Sequence, residues 1–188
     1  MKILVSENFK DSIPNKYIYL DTNVLSGLFN HKDSLEGFFS IMIDSFIILD
    51  PYIRLEFLRD IFVSEQISNR EEFLNQPIFF PAIDHQQIYN NIVNINSLLL
   101  SQVFALHRQK SKFGGKASWS TVDLLLAARF MGYKEKALLL TGDRNDFPAC
   151  VFETIGVLTL ESNKSGLLNN FYLLKYDEDS FNKYKKLL

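Results

Sequence analysis

Short apolar runs alternate along this chain with longer segments of helical periodicity. The runs at residues 17–20, 46–49 and 137–140 end in turn or helix-start residues, which predicts buried strands. The stretches between them are long enough for the helical crossovers that parallel strands require. We therefore expect an α/β fold in three layers, α/β/α, around a central, mostly parallel sheet.

Helices and two further strands complete the predicted fold. Five helical segments are expected, at residues 34–44, 51–59, 65–74, 84–108 and 120–133. Pro77 and Pro81 lack amide donors, so the run 77–83 is expected at a sheet edge. Residues 155–160 are predicted as the last core strand. The segment 161–188 is expected to be a C-terminal extension that adds an edge strand and a terminal helix.

The composition points to a single domain, residues 1–188. With 47% hydrophobic residues and 17 phenylalanines among 188 residues, the chain can bury one large core, which excludes intrinsic disorder. A net charge of −2 excludes a globally basic nucleic-acid-binding protein, although it leaves local basic patches open.

Cysteine content and hydropathy bear on the compartment. The single cysteine, Cys150, can form neither an internal disulfide nor a zinc cluster, which is typical of a reducing compartment. No apolar run approaches the roughly 18 residues that cross a bilayer, and the run 3–5 is too short for a secretory signal. We expect a cytoplasmic protein without membrane association.

Acidic residues follow the predicted strands or open the helices after them. Asp21, Asp143 and Asp146 follow strands, while Glu56 and Asp123 lie early on helices that start near the same edge. Because ligands of open α/β sheets bind beyond the carboxyl ends of the strands, these acids could share one pocket.

Each acid also has a purely structural explanation. Asp21 can cap the following helix, and Asp123 can form a capping box with Ser120. As a group, however, carboxylates at 4 Å repel by roughly 4 kcal/mol per pair at an effective dielectric near 20. A divalent cation would relieve this repulsion, and an oxygen-only ligand set favours Mg²⁺ or Mn²⁺. Such an ion suits phosphodiester hydrolysis by an activated water.

Three segments carry a resemblance to a known family. They are YLDTNVL at 19–25, STVDLLLAA at 120–128 and LLTGDRNDF at 139–147. With Glu56 on the helix between the first two, their order and spacing resemble the PIN-domain nucleases, and among these the VapC-like toxins of bacterial toxin–antitoxin pairs. The likeness covers residues 16–160, the PIN-like core.

The resemblance implies a Mg²⁺- or Mn²⁺-dependent endoribonuclease that uses a metal-activated water. Asp21, Glu56 and Asp123 would be metal-binding catalytic acids, with Asn23 and Thr141 as supporting residues that contact the substrate.

The fourth acid of the family pattern has two candidates in this chain. They are Asp143, which we favour as a metal ligand, and Asp146. The resemblance also implies a homodimer and a small antitoxin partner. Phe38, Phe39 and Phe57 could form an apolar groove for that partner, although core packing explains them equally well.

A basic stretch could contact the RNA. From His85 to Val122 there is no acidic residue. Four cations cluster in its second half: Arg108, Lys110, Lys112 and Lys116. These side chains could bind phosphates, with Phe113 or Trp119 stacking on an unpaired base. An ordinary solvated helix end explains the same charges equally well.

Two other functions stay open. Asp21 and the segment 142–146 faintly resemble the haloacid-dehalogenase-like phosphatases, although Asn23 stands where that family has a second aspartate. A non-catalytic PIN-like module that binds RNA or protein is the other alternative.

Overall fold

The computed structural model of the protein describes residues 2–59, 61, 63–82, 86–110, 119–161 and 168–188, and of residues 86–95 and 110 the backbone alone. The strands of this described part are β1 (Lys2–Val5), β2 (Tyr17–Leu20), β3 (Phe46–Leu49), β4 (Phe79–Pro81), β5 (Ala137–Thr141), β6 (Phe152–Glu161) and β7 (Leu168–Tyr176). Its α-helices are α1 (Glu7–Ser12), α2 (Thr22–Asn30), α3 (Leu35–Ile41), α4 (Pro51–Leu58), α5 (Ser64–Leu74), α6 (Gln86–Lys110), α7 (Thr121–Tyr133) and α8 (Glu178–Lys185).

The predicted α/β class is confirmed, because the strands form one sheet flanked by helices. The sheet order is β1-β6-β7-β5-β2-β3-β4. The neighbours β5, β2, β3 and β4 run parallel to one another, as the alternating pattern predicts. The proline-flanked strand β4 lies at the sheet edge, also as predicted. This parallel half brings the carboxyl ends of β2, β3 and β5 to one edge.

The prediction of a mostly parallel sheet is wrong. β7 pairs antiparallel with both β5 and β6, β1 pairs antiparallel with β6, and the sheet is strongly curled. Only six residues separate β6 from β7, which is too few for the crossover that a parallel pair needs. The predicted place of the C-terminal strand is also wrong, because β7 lies inside the sheet instead of at its edge. The terminal helix is confirmed as α8.

The helices contact one another in two groups. One group joins α2, α4 and α5, and the other joins α6, α7 and α8. This grouping is compatible with the predicted three layers. None of the helices in the described residues combines the length and the hydropathy that a membrane span requires.

Phenylalanines fill the core beside α2, α4 and α5. The rings of Phe29 and Phe73 lie 5.6 Å apart, and those of Phe73 and Phe79 lie 5.4 Å apart, in edge-to-face arrangements that stabilise aromatic pairs. Phe38 and Phe57 are fully buried. The predicted groove for an antitoxin therefore cannot use these two rings, which belong to the core.

A buried ion pair joins α4 to α7. Asp50 ends β3 and caps α4, where its Oδ1 accepts a hydrogen bond of 2.7 Å from the amide of Tyr52. Its Oδ2 lies 2.8 Å from Nε of Arg129 on α7, and both side chains are at most 3% exposed. Asp50 and Arg129 each lie six residues from a candidate acid, Glu56 on α4 and Asp123 on α7. The pair thus fixes the relative position of the two helices that carry these acids.

We expect Arg129→Met to lower the free energy of unfolding by about 3–5 kcal/mol, because it leaves the buried charge of Asp50 without this partner. Urea unfolding measures the change. The double variant Asp50→Asn/Arg129→Met should be more stable than Arg129→Met alone, since asparagine keeps the cap without the charge. Arg54 is a half-buried arginine on α4, the helix that Asp50 caps, and Arg54→Met should change stability by no more than about 0.5 kcal/mol. Equal stability of Arg129→Met and wild type would contradict this role.

Candidate functional site

The carboxylate of Asp21 is the centre of the site. Asp21 follows β2 and caps α2, and its Oδ1 accepts a hydrogen bond of 2.7 Å from the amide of Thr22. Its Oδ2 accepts from the hydroxyl of Thr141 at 2.6 Å and from the side-chain amide of Asn23 at 2.7 Å. The residue is only 7% exposed. Three donors from two neighbouring elements therefore hold one buried carboxylate in a fixed orientation.

Asn23 and Thr141 also tie the loop after β5 to the start of α2. Oδ1 of Asn23 accepts from the amide of Gly142 at 2.7 Å, and the hydroxyl oxygen of Thr141 accepts from the amide of Asp143 at 3.1 Å. A Cβ atom at Gly142 would lie 3.2 Å from Oδ1 of Asn23, so the glycine permits this close approach. The two residues predicted as supporting groups thus contact Asp21 directly.

Glu56 reaches the same place from α4. Its Oε2 accepts a hydrogen bond of 2.5 Å from the hydroxyl of Thr22, the residue whose amide donates to Asp21. Its Oε1 lies 3.8 Å from the guanidinium of Arg59, and its side chain is 23% exposed. Thr22 therefore connects two of the predicted acids through one short bridge.

Asp123 enters the site at the start of α7. It forms a capping box with Ser120, in which each side chain accepts from the other residue's amide at 3.0 Å. This confirms the capping interaction that the sequence suggests. Asp123 is only 9% exposed, whereas Ser120 is exposed, so the carboxylate is the buried half of the cap.

The pKa of Asp21 depends on its burial and on the charges of the other two acids. Burial raises the pKa of Asp21 from 3.8 to about 6, the hydrogen bonds from Thr141 and Thr22 oppose this rise, and the negative charges of Asp123 and Glu56 add to it. A carboxylate that is buried near two like charges is the environment in which functional acids are found. We call Asp21, Glu56 and Asp123 the acidic group.

Asp143 and Asp146 lie in the turn that follows β5. Oδ1 of Asp143 accepts from the amide of Asn145 at 2.9 Å, so this carboxylate stabilises the turn. The amide of Asp146 donates to the carbonyl of Asp143 at 3.4 Å. The turn lies directly after Thr141, which keeps both aspartates at the edge where the acidic group lies. The identity of the fourth acid stays a prediction.

The predicted basic stretch is largely outside the described part of the chain. Lys112 and Lys116 lie outside the described residues, and Lys110 is described only as the last residue of α6. Arg108 is half-buried on α6. Trp119 packs its ring 4.9 Å from that of Phe104, which is a core contact. Phosphate binding by this stretch stays a prediction.

The donor atoms of the acidic group suit a divalent cation in part. From the described part of the chain Asp21 accepts three hydrogen bonds, whereas two carboxylate oxygens offer about four acceptor positions, which leaves one on Oδ1. The donors of the acidic group are all oxygen atoms, as Mg²⁺ and Mn²⁺ prefer. Within the described ranges, however, no three His, Cys, Asp or Glu side chains form a group that could hold an ion. The donor chemistry fits, and the acids do not form a closed ion cage.

The sequence pattern missed the roles of Thr22 and Gly142. Thr22 is part of the first motif, and its bridging position follows from the helix start, where its amide and hydroxyl face neighbouring acids.

Cys150 is buried, and burial raises the pKa of its thiol to about 12, which disfavours a thiolate nucleophile.

Comparison of the chain with protein-family models, with curated proteins and with solved structures found no match.

The raised pKa of Asp21 predicts how stability depends on pH. Between pH 3.8 and about 6 the folded protein binds this proton more tightly than the unfolded chain does, so the free energy of unfolding falls as the pH rises. The full loss is about 3 kcal/mol. Asp21→Asn cannot ionise and should lack this component.

Urea unfolding between pH 3.5 and pH 7 in the presence of EDTA measures both proteins, and the difference between their profiles isolates Asp21. Parallel profiles would show that Asp21 titrates normally and would contradict the assignment.

Proposed function

We propose that this protein is a Mg²⁺- or Mn²⁺-dependent endoribonuclease whose catalytic centre is the acidic group. The observation that carries the proposal is the buried carboxylate of Asp21, whose pKa is about 6 because burial acts together with the charges of Asp123 and Glu56. Folding alone gains nothing from gathering like charges, since each of these acids could cap or solvate separately. A reaction that needs a bound divalent cation would explain why three acids lie near one another.

The residues of the chain have distinct parts in this proposal. Asp21, Glu56 and Asp123 would hold the ion, with Asp143 or Asp146 as a fourth ligand from the turn after β5. When bound, Mg²⁺ or Mn²⁺ makes a water molecule a usable nucleophile and stabilises negative charge on a phosphoryl oxygen.

Thr141 and Asn23 have a positioning part. Their donors fix Oδ2 of Asp21, and among the described residues Oδ1 accepts a single hydrogen bond, from Thr22. The loop that begins at Gly142 is held to the same network through Asn23. Mutation of supporting groups of this kind typically lowers metal affinity or activity 10–100-fold.

From the resemblance to the PIN-domain nucleases we further infer a PIN-like fold for residues 16–160 and RNA as the substrate. The same resemblance implies a second copy of the chain and a small antitoxin as partners, and a toxin role. The parallel half of the sheet and the position of the acidic group at the ends of β2 and β5 support a PIN-like core.

The purified protein should cleave a single-stranded RNA that carries a fluorophore and a quencher when Mn²⁺ or Mg²⁺ is present, and EDTA should stop the reaction. Asp21→Asn, Glu56→Gln and Asp123→Asn should each lower the rate about 100-fold or more, because each removes charge worth several kcal/mol. Glu135→Gln is the matched control, an exposed carboxylate just before the amino end of β5.

Other outcomes would favour the alternative functions. RNA binding without cleavage under any divalent cation would support a non-catalytic module. Hydrolysis of a small phosphomonoester that Asp123→Asn leaves unchanged would support a phosphatase. Asn23 stands where the haloacid-dehalogenase-like phosphatases have a second aspartate, and its side-chain amide, which bonds to Asp21 and the loop, cannot act as a general acid.

Cation binding is expected to stabilise the folded protein independently of any activity. At pH 7, Mn²⁺ at about 100 times its Kd should raise the free energy of unfolding by about 2.7 kcal/mol. Asp21→Asn should abolish this gain, while Glu135→Gln should keep it. Thermal unfolding with and without Mn²⁺ measures the effect, and an equal gain in wild type and Asp21→Asn would place the ion elsewhere.

A further inference from the structure

An exposed arginine is held over an aromatic ring beside the acidic group. Arg144 lies in the turn after β5, and its guanidinium carbon is 5.3 Å from the centre of the Tyr172 ring. Tyr172 lies on β7 directly opposite Thr141, whose hydroxyl donates to Asp21. Directly opposed residues of antiparallel strands project to the same face, with Cβ atoms about 5 Å apart. The ring of Tyr172 therefore lies next to Thr141, the residue that donates a hydrogen bond to Asp21.

Arg144 differs from other arginines around this edge in what it contacts. Arg59 lies 3.8 Å from Glu56, and Arg129 lies 2.8 Å from Asp50, so acids neutralise these two cations. Within the described part of the chain, Arg144 makes no ion pair with a carboxylate, although Asp143 precedes it directly. The contact with Tyr172 orients its guanidinium while its charge stays available to an anion.

This arrangement suits a phosphate of single-stranded RNA. The acidic group repels a polyanion, so a substrate strand needs a cation close to the acids to approach them. Arginine offers planar, paired donors to phosphate oxygens, and a stacked guanidinium loses little further freedom on binding. Unpaired bases also stack on guanidinium planes and on aromatic rings. The bases of a duplex cannot do so, because they are already stacked and paired with one another.

We propose that Arg144, positioned by Tyr172, binds a phosphate of single-stranded RNA beside the acidic group. The inference deepens the proposed function and rests on it. It also gives the C-terminal strand β7 a part in the site, because that strand supplies the ring on which the arginine rests.

Equilibrium binding separates this role from catalysis. The probe is a fluorescently labelled single-stranded RNA, measured by anisotropy in EDTA over a series of salt concentrations. Arg144→Ala should weaken binding about tenfold, because it removes a charge-assisted phosphate contact. The slope of log affinity against log salt should fall by about 0.7, the value for one phosphate contact on a single strand.

Conservative variants distinguish charge from positioning. Arg144→Lys should keep the salt slope but bind more weakly than wild type, since lysine lacks the planar, stacked fork. Tyr172→Phe keeps the ring and should bind as wild type does, whereas Tyr172→Ala should resemble Arg144→Lys. Lys136→Ala is the matched control, an exposed cation at the opposite end of β5, and it should change neither affinity nor slope. The thermal unfolding of each variant verifies that it is folded.

The outcomes separate the inference from the proposed function. If wild type binds and cleaves RNA but Arg144→Ala keeps its affinity and salt slope, the role of Arg144 is overturned and the nuclease proposal stands. If wild type neither binds nor cleaves single-stranded RNA, both are overturned. If Arg144→Ala and Lys136→Ala weaken binding equally, the contact is diffuse and the specific role of Arg144 is overturned.

Discussion

The site depends on the buried carboxylate of Asp21, which three hydrogen bonds hold in place. Asp21 accepts from Thr22, Asn23 and Thr141, and these donors come from the start of α2 and the end of β5. The bond from Thr22 to Glu56 then links α4 to the same point. Burial raises the pKa of Asp21, and the hydrogen bonds from Thr141 and Thr22 oppose this rise, so the pKa stays at about 6.

Two aspartates at neighbouring strand ends illustrate how a structural acid differs from a candidate functional one. Asp21 and Asp50 follow the parallel neighbours β2 and β3, and both cap the helix that comes next. Asp50 faces Arg129, so its burial is compensated within the fold. Asp21 instead faces two further acids, and its pKa rises to about 6. Both aspartates cap a helix, yet Asp50 has a cationic partner and Asp21 has like charges nearby. The difference depends on which side chains the tertiary structure places near each carboxylate.

Much of the parallel half could be predicted, because strands and helices there follow from side-chain periodicity and from caps such as Ser120. The antiparallel half could not. The apolar pattern of residues 168–176 shows that a strand can form but carries no information about its partner, so its place between β5 and β6 was missed. The first strand and helix, β1 and α1, were missed as well, because an isolated four-residue run has too few positions to show a period.

The sequence by itself determined where strands end, where helices begin and which acids stand at those points, since these depend on residues close together in the chain. It also predicted that these acids could share one edge of the sheet, because parallel strands present their carboxyl ends at one edge. Only the tertiary structure decided that Arg129 neutralises Asp50, that Thr22 bridges to Glu56 and that Tyr172 lies under Arg144. These contacts join segments distant in sequence, and the pairing of such segments is set by the packing of the whole core.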